Sequence, residues 1–113
     1  MITIYHNPRC SKSRECELFL SSNKNDVRVI NYKETPFSKD ELKNLIALLG
    51  IKPIDLVRKN ETIWKEKFKD RKLTNTQVIS ALLKHPNLIQ RPIVVHGDKA
   101  IIARPLELID SIL

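Results

Sequence analysis

Residues 2–15 read ITIYHNPRCSKSRE, and they pass from a strand pattern through a turn to a helical pattern. Residues 2–5 alternate in polarity and are mostly β-formers, while residues 6–8 are turn residues that end the strand. The helical pattern that follows has one apolar face, formed by Cys16, Phe19 and Leu20. The stretch therefore predicts strand, thiol and helix in immediate succession, with Cys10 at the helix N-terminus.

The chain after this stretch first repeats the strand signal and then becomes helical. A strand is predicted at Val27 to Tyr32, after a break at Ser21 to Asp26. Ser38 and Glu41 have the S-x-x-E spacing of a capping box, and Gly50 suits the end of the helix that they open. The apolar stripe of that helix is formed by Leu42, Leu45, Ile46 and Leu49.

Residues 51–90 keep a helical pattern in short pieces. Thr74 and Gln77 form a second capping box, and His85 with Pro86 ends the helix that it opens. The apolar face of this helix is formed by Val78, Ile79, Leu82 and Leu83. The segment is therefore predicted to be a block of short helices.

The C-terminal part of the chain predicts a hairpin and a last helix. Residues 93–95 and 100–103 are rich in β-formers and flank a turn at Gly97 and Asp98. Pro105 suits the first position of the helix that follows. The inward face of that helix is expected to hold Leu106, Ile109 and Leu113.

The order of these elements, βαβ, a helical block and ββα, determines the fold class. A βαβ unit needs two parallel strands, and the later hairpin extends the same sheet in the antiparallel sense. We therefore predict an α/β protein with a thioredoxin-like fold, in which helices flank a small mixed four-stranded sheet. It is expected to form a single domain over residues 1–113, with a helical insertion at about residues 38–90 between the βαβ and ββα halves.

Composition narrows the classes of function. The chain has 113 residues, of which 42% are hydrophobic, and a formal net charge of +7. Basic and acidic residues are mixed along the chain and only 5% of residues are aromatic, so no nucleic-acid partner is predicted. No apolar run reaches membrane-spanning length, and the first ten residues do not resemble a signal peptide. We expect a cytoplasmic monomer without a membrane partner.

Cys10 lies in a setting that activates a thiol. Unpaired backbone N–H groups and the helix dipole stabilise a thiolate at a helix N-terminus, and they lower its pKa from about 8.5 to about 3.5–7.5. His6, four residues upstream, offers a positive charge or a proton acceptor. Ser13 and the N–H groups of Ser11 and Lys12 are placed to donate to the thiolate or to a bound oxyanion. The loop is therefore predicted to bind an anion beside a reactive thiol.

Four segments of the chain carry a family resemblance. They are ITIYHNPRCSKSRE at 2–15, LVRKN at 56–60, HPNLIQRPIVV at 85–95 and ARPLELI at 103–109. In this order and spacing they resemble the glutaredoxin-linked arsenate reductase family, over essentially the whole chain. The resemblance implies a thioredoxin-like fold with a helical insertion. It also implies a cysteine that attacks arsenate, which glutathione and glutaredoxin then help to reduce to arsenite.

The resemblance further implies the roles of individual residues. Cys10 is expected to be the nucleophile, tuned by His6 and Ser13, and the Arg91-Pro92 bond is expected to be cis. Guanidinium groups suit a tetrahedral oxyanion because they form two parallel hydrogen bonds, whereas lysine offers a point charge. The predicted substrate-binding set is Arg58, Arg91, Arg104, Asn7, Ser11 and Lys12. Glutathione is expected as a co-substrate, with no bound cofactor, and the cysteines and histidines lack the spacing of metal ligands.

The second cysteine and the loop sequence define the alternatives. Cys16 lies about 9 Å along a helix from Cys10, beyond the ~4.4–6.8 Å Cα separation of a disulfide, so it is expected in the core. Ser13 stands where a C-x-x-C motif has its second cysteine, which favours a one-cysteine mechanism. The nearest alternative function is a glutathione-dependent thiol oxidoreductase of unknown substrate. Another is a redox-sensing transcription regulator that binds RNA polymerase, although such regulators typically have C-x-x-C in this loop.

Overall fold

The computed structural model describes residues 2–22, 26–104 and 106–113 of the chain. No helix in these ranges is long and apolar enough to cross a membrane. The strands are β1 (Ile2–His6), β2 (Val27–Asn31), β3 (Ile93–His96) and β4 (Lys99–Ile102). The α-helices are α1 (Ser11–Ser22), α2 (Lys39–Leu49), α3 (Thr62–Lys67) and α4 (Asn75–Lys84). Short 3₁₀ helices lie at Pro53–Leu56, Pro86–Leu88 and Leu106–Ser111.

The four strands form one mixed sheet with the order β2, β1, β3, β4. β1 pairs in parallel with β2, where His6 lies opposite Asn31, and it pairs antiparallel with β3. β3 and β4 form the antiparallel hairpin. Gly97 in its turn has a φ of 64°, a value that glycine adopts without strain. The predicted four-stranded sheet, with its parallel pair and its hairpin, is confirmed.

The sheet, α1 and the last 3₁₀ helix belong to one compact unit, which is built from residues 1–35 and 91–113. Phe19 packs against its core, so the predicted apolar face of α1 is confirmed. Burial of this face fixes α1 against the sheet, and thereby fixes the position of Cys10 at the start of the helix. The buried core cluster consists of Ile2, Ile4, Cys16, Leu20, Val94, Ala103, Ile109 and Ile112.

Residues 36–90 form a second compact unit, which is helical. α2 ends at Gly50, whose φ of 68° is left-handed and lets its N–H bond back to the last turn of the helix. α2 and α4 contact each other within this unit. Both predicted capping boxes are present, Ser38 with Glu41 and Thr74 with Gln77. The buried side chains of these helices are Leu42, Leu45, Ile46, Val78, Ile79, Ala81 and Leu82.

The C-terminal helix differs from its prediction. It is a 3₁₀ helix, in which side chains three residues apart lie on one face, and Ile109 and Ile112 are both buried. Leu113, predicted to face inward, is 51% exposed, so that prediction was wrong. Pro105, predicted as the first helical residue, lies outside the described residues. Part of the break predicted at residues 21–26 lies outside them too.

Candidate active site

The loop between β1 and α1 is organised around Asn7, which is only 1% exposed. Its side-chain Oδ1 accepts a hydrogen bond from the Arg9 N–H at 3.0 Å, the local bond that makes asparagine a good turn residue. Its carbonyl oxygen accepts from the Cys10 N–H at 2.9 Å. Its own N–H donates to Ser13 Oγ at 3.4 Å. Asn7 therefore connects the loop to the first turn of α1 and sets the position of Cys10.

Cys10 occupies the N-cap position of α1. Its carbonyl oxygen accepts from the Arg14 N–H at 3.2 Å, which begins the hydrogen-bond pattern of the helix. The first turn of α1, all of it described, contains no acidic residue, so no carboxylate offsets the positive end of the helix dipole there. Arg14 Nη1 also donates to the Pro8 carbonyl at 2.8 Å, which holds the loop against the helix. The half-buried thiol is therefore placed as predicted.

Competing effects set the pKa of the Cys10 thiol. Burial raises it, because a thiolate loses solvation inside the protein. Hydrogen bonds from the Ser13 N–H, the Arg91 side chain and the Lys12 N–H lower it, as does the positive charge of Arg91. These effects outweigh burial, and the pKa falls from 9.0 to about 7. A large fraction of the thiol is therefore ionised at neutral pH, in the form that acts as a nucleophile.

Arg91 approaches the thiol from the start of β3. Because β1 and β3 are antiparallel, with Tyr5 opposite Ile93, the start of β3 lies at the edge of the sheet where β1 ends. The Arg91–Pro92 bond is cis, as the family resemblance implied. The Arg91 side chain is largely buried, with 8% of the residue exposed. A guanidinium fork, suited to an oxyanion, is thus held beside the candidate nucleophile.

Tyr32 is a buried neighbour of this group that sequence reasoning missed. Burial raises the pKa of its hydroxyl, and the charge and hydrogen bonds of Arg91 and Asn7 only partly offset this effect. The hydroxyl is therefore protonated at neutral pH, and it lies near the arginine and the loop asparagine. Tyr32 directly follows β2, whose last residue pairs with His6. Because parallel strands end at the same edge of a sheet, this pairing was the signal that would have located Tyr32.

Ser11, Lys12 and Arg104 are the exposed members of the predicted set. Lys12 Nζ lies 3.7 Å from Glu15 Oε2 on the surface of α1. Arg104 lines a groove of about 220 Å³ together with Lys12. The structure therefore brings Arg104 to the first turn of α1, the end of the helix that carries the thiol.

Comparison with known proteins identifies the family. A model of the ArsC family matches residues 5–112. The chain belongs to the ArsC family. An arsenate reductase of Acidiphilium multivorum is 43% identical over 113 residues, which cover 99% of this chain and 80% of that protein. YfgD, an uncharacterized protein of Escherichia coli K12, is 42% identical over 108 residues, which cover 94% of this chain and 91% of that protein.

A solved structure extends this similarity to three dimensions. The arsenate reductase from Vibrio cholerae has a TM-score of 0.92 to this chain at 40% sequence identity, over 99% of this chain and 97% of that one. The chain therefore has the thioredoxin-like fold of the ArsC family, as the order of its elements predicted.

His6 of this ArsC family member lies close to a carboxylate of α1. It ends β1 and is 6% exposed, with Nε2 lying 3.7 Å from Glu17 Oε2. Its buried Nδ1 has no hydrogen-bond partner among the described residues. The largest lowering effects on the Cys10 pKa come from Ser13, Arg91 and Lys12 instead. The role of His6 in tuning the thiol stays a prediction.

Arg58 belongs to the helical unit of this ArsC family member. Its N–H donates to the Leu88 carbonyl at 2.7 Å, and its Nε lies 3.6 Å from Glu61 Oε1. Its buried Nη1 has no hydrogen-bond acceptor within the described ranges. A buried guanidinium donor that lacks an acceptor is suited to an incoming anion. Its role as a substrate ligand stays a prediction.

Cys16 is the second free thiol and is fully buried. Burial, and then the charge of Glu17, raise its pKa to about 11. Its predicted place in the core is therefore confirmed. In the part of the chain that the structure describes, no three His, Cys, Asp or Glu side chains are grouped so as to hold a metal ion.

Proposed function

We propose that the protein reduces arsenate to arsenite, with Cys10 as the nucleophile and glutathione and glutaredoxin as the source of electrons. One observation carries this proposal: in a chain of the ArsC family, a thiol with a pKa of about 7 lies beside Arg91 at a helix N-terminus. The arsenate reductases among its relatives support the same substrate. We place the enzyme in the cytoplasm, where glutathione is abundant and reduced.

Substrate binding is the first step of the proposed reaction. Arsenate is a tetrahedral oxyanion, and the donors nearest to Cys10 are the Arg91 guanidinium and the N–H groups of Lys12 and Ser13. Donors arranged in this way bind an anion without having to reorganise, because the helix and the buried arginine already hold them. Arg104 and the Lys12 ammonium add positive charge at the same end of α1. We retain Arg58 as a further ligand on the strength of the family resemblance.

Electron transfer follows in two thiol steps. The Cys10 thiolate attacks arsenic, an arsenate oxygen leaves as water after protonation, and a Cys10 sulfur–arsenic bond forms. A glutathione thiolate then attacks the Cys10 sulfur, and the electron pair of the breaking bond leaves with arsenic, which becomes arsenite. Two thiols have lost two electrons and formed a mixed disulfide. Glutaredoxin reduces this disulfide by thiol exchange, so the enzyme needs glutathione as a co-substrate but no resident cofactor.

A steady-state assay tests the proposal. The reaction contains enzyme, arsenate, glutathione, glutaredoxin, glutathione reductase and NADPH, and each component is omitted in turn. We expect NADPH oxidation to require arsenate, glutathione and glutaredoxin, and thioredoxin alone not to replace them. Mass spectrometry after quenching is expected to find glutathione on Cys10.

The same assay can contradict the proposal. Turnover of a low-molecular-weight disulfide without any response to arsenate would favour the alternative, a glutathione-dependent oxidoreductase of another substrate. A disulfide between Cys10 and Cys16, formed during turnover with arsenate, would show instead that the second thiol comes from the chain itself.

A further inference from the structure

The helical unit contains a groove that the proposed chemistry does not use. It has a volume of about 480 Å³ and is lined by α4 and by residues at and after the end of α3. This volume falls within the range of about 300–1,000 Å³ that is typical of sites for small molecules. All of its lining residues belong to residues 36–90, so the groove is complete within that unit.

The floor of the groove is apolar and aromatic. Ala81 is buried there, and Phe68 and Leu73 are half-buried. The Phe68 ring stacks on Trp64 with ring centroids 5.4 Å apart, and it contacts the His85 ring edge-on at 5.9 Å. These ring contacts hold Phe68 in place, so the groove offers a fixed aromatic surface on which an apolar group can pack.

The rim of the groove is positively charged. Lys67, Arg71 and Lys84 line it, and none of the lining side chains, all in the described part of the chain, is acidic. Burial lowers the pKa of His85, and the charges of Lys67 and Lys84 lower it further. Both ammonium groups on the rim are therefore close enough to the His85 ring to disfavour its positive charge. The hydroxyl of Ser80 adds a neutral hydrogen-bond donor.

We propose that this groove binds a small organic anion. Its apolar or aromatic body packs on Phe68 and Leu73, and its carboxylate, phosphate or sulfonate group is bound by Lys67 and Lys84. An inorganic anion alone would leave the apolar floor in contact with water. A neutral aromatic molecule would leave the cluster of like charges on the rim uncompensated. A ligand with both an apolar body and an anionic group covers the apolar floor and also neutralises charge on the rim.

An NMR titration tests this proposal. The probe is 8-anilinonaphthalene-1-sulfonate, compared with the neutral N-phenyl-1-naphthylamine and with inorganic sulfate. We expect saturable shifts of the Phe68, Ser80 and His85 signals with the sulfonate, and at least roughly fivefold weaker binding of the neutral molecule and of sulfate. Shifts centred on Lys59 and Lys65, which line a neighbouring basic groove, would overturn the assignment.

Variants of the rim and the floor separate specific binding from general charge. Lys67→Gln with Lys84→Gln is expected to weaken the sulfonate by roughly fivefold to tenfold. The matched control, Lys39→Gln with Lys43→Gln, removes the same charge from exposed positions of α2 and is expected to leave binding unchanged.

A third variant fills the groove without removing charge. Ser80→Trp, at an exposed position of α4, is expected to block the sulfonate, while arsenate turnover stays at the wild-type level in every one of these variants. Equal weakening by both lysine pairs would overturn the proposal. If an acidic peptide shifted the same NMR signals and the sulfonate did not, the groove would bind a peptide and the proposal of a small-molecule ligand would be overturned.

Discussion

Cys10 and Cys16 lie on the same helix-forming segment, six residues apart, and their thiols have opposite properties. At the start of α1, main-chain N–H groups and Arg91 lower the pKa of Cys10 to about 7. About 1.7 turns later, burial in the core raises the pKa of Cys16 to about 11. Both residues are cysteines, so the difference between their pKa values comes from their positions. Cys10 lies at the N-terminus of the helix, and Cys16 lies on its buried face.

The comparison separates two uses of burial. Cys16 is fully enclosed by apolar side chains, where a neutral thiol packs as a small hydrophobic group. Cys10 is only half-buried, and hydrogen-bond donors more than compensate its lost solvation. A reactive thiol therefore needs donors as well as a cavity, and this position of the fold supplies them from the backbone.

Replacement of each cysteine in turn gives the largest expected difference. Cys10→Ser should abolish arsenate turnover, because a serine hydroxyl is not ionised at neutral pH and forms no mixed disulfide. Cys16→Ser should keep turnover but lower the free energy of unfolding by about 1–3 kcal/mol, since it buries a hydroxyl. Steady-state assays and urea unfolding measure both effects. Loss of turnover in a well-folded Cys16→Ser would remove the distinction between the two thiols.

Alkylation by iodoacetamide distinguishes the thiols by pH. The Cys10 rate should rise with pH and reach half of its maximum near pH 7, where half of the thiol is ionised. Cys16 should react only after unfolding, because its pKa is about 11 and it is fully buried. Peptide mass spectrometry at a series of pH values measures both rates. A Cys10 rate that rises only around the pKa of a free thiol, about 8.5, would contradict the activation of this residue.

Arg91→Lys tests whether charge alone activates the site. Lysine keeps the charge but loses the planar fork, so turnover should fall by roughly 10- to 100-fold, the cost of one charge-assisted hydrogen bond of about 1.5–3 kcal/mol. The alkylation midpoint of Cys10 should move upward. Arg28→Lys, at an exposed position of β2, is the matched control and should behave like the wild type. Equal turnover in both variants would assign Arg91 a general electrostatic role.

The two thiols should also affect stability in opposite directions as pH changes. Between about pH 7 and 9 the unfolded chain holds the Cys10 proton more tightly than the native state, so native stability rises with pH. Between about pH 9 and 11 the native state holds the Cys16 proton more tightly, so stability falls with pH. Subtraction of the curves of Cys10→Ser and Cys16→Ser from the wild type isolates each contribution. If the two contributions to stability changed with pH in the same direction, the opposite pKa shifts of Cys10 and Cys16 would be refuted.

Tyr32→Phe should have the smallest effect. The change removes only the hydroxyl near Arg91 and Asn7, so we expect turnover to fall by at most roughly threefold to tenfold, the worth of one neutral hydrogen bond. The alkylation midpoint should stay within a few tenths of a unit of its wild-type value. Tyr5→Phe, a tyrosine within β1, is the control. An unchanged turnover in Tyr32→Phe would reduce Tyr32 to a packing role.

The sequence predicted those parts of the fold that depend on local rules. Ser38 with Glu41 and Thr74 with Gln77 are capping boxes in both the sequence and the structure, because cap geometry depends on residues three apart. The position of Cys10 followed from the same kind of local signal. The last helix was less predictable, since a short segment changes between α and 3₁₀ geometry at little cost, and that choice decides whether Ile112 or Leu113 is buried.

The surroundings of the thiol were harder to predict than its position. Arg91 and Tyr32 come close to Cys10 only once the strands have paired, so no local sequence pattern indicates either of them. Arg91 was predicted from the family resemblance, and Tyr32 was missed. The hydrogen bonds of Asn7 likewise depend on the folded loop, so its part in organising that loop was not visible in the sequence. Periodicity and capping signals predict each helix or strand separately. The residues that come together at the ends of paired strands depend on how the whole sheet is assembled, which these signals do not predict.

The position of β1 between β2 and β3 also affects when the sheet can form during synthesis. β1 is synthesised before β3, so one of its two edges must wait for Ile93, which pairs with Tyr5 from 88 residues further along the chain. At about 5–20 residues per second, that edge stays open for roughly 4–18 s of synthesis. During this time the nascent thiol lacks its arginine and is correspondingly less acidic. Cys10 thus gains the contribution of Arg91 to its reactivity only when β3 has been made and pairs with β1.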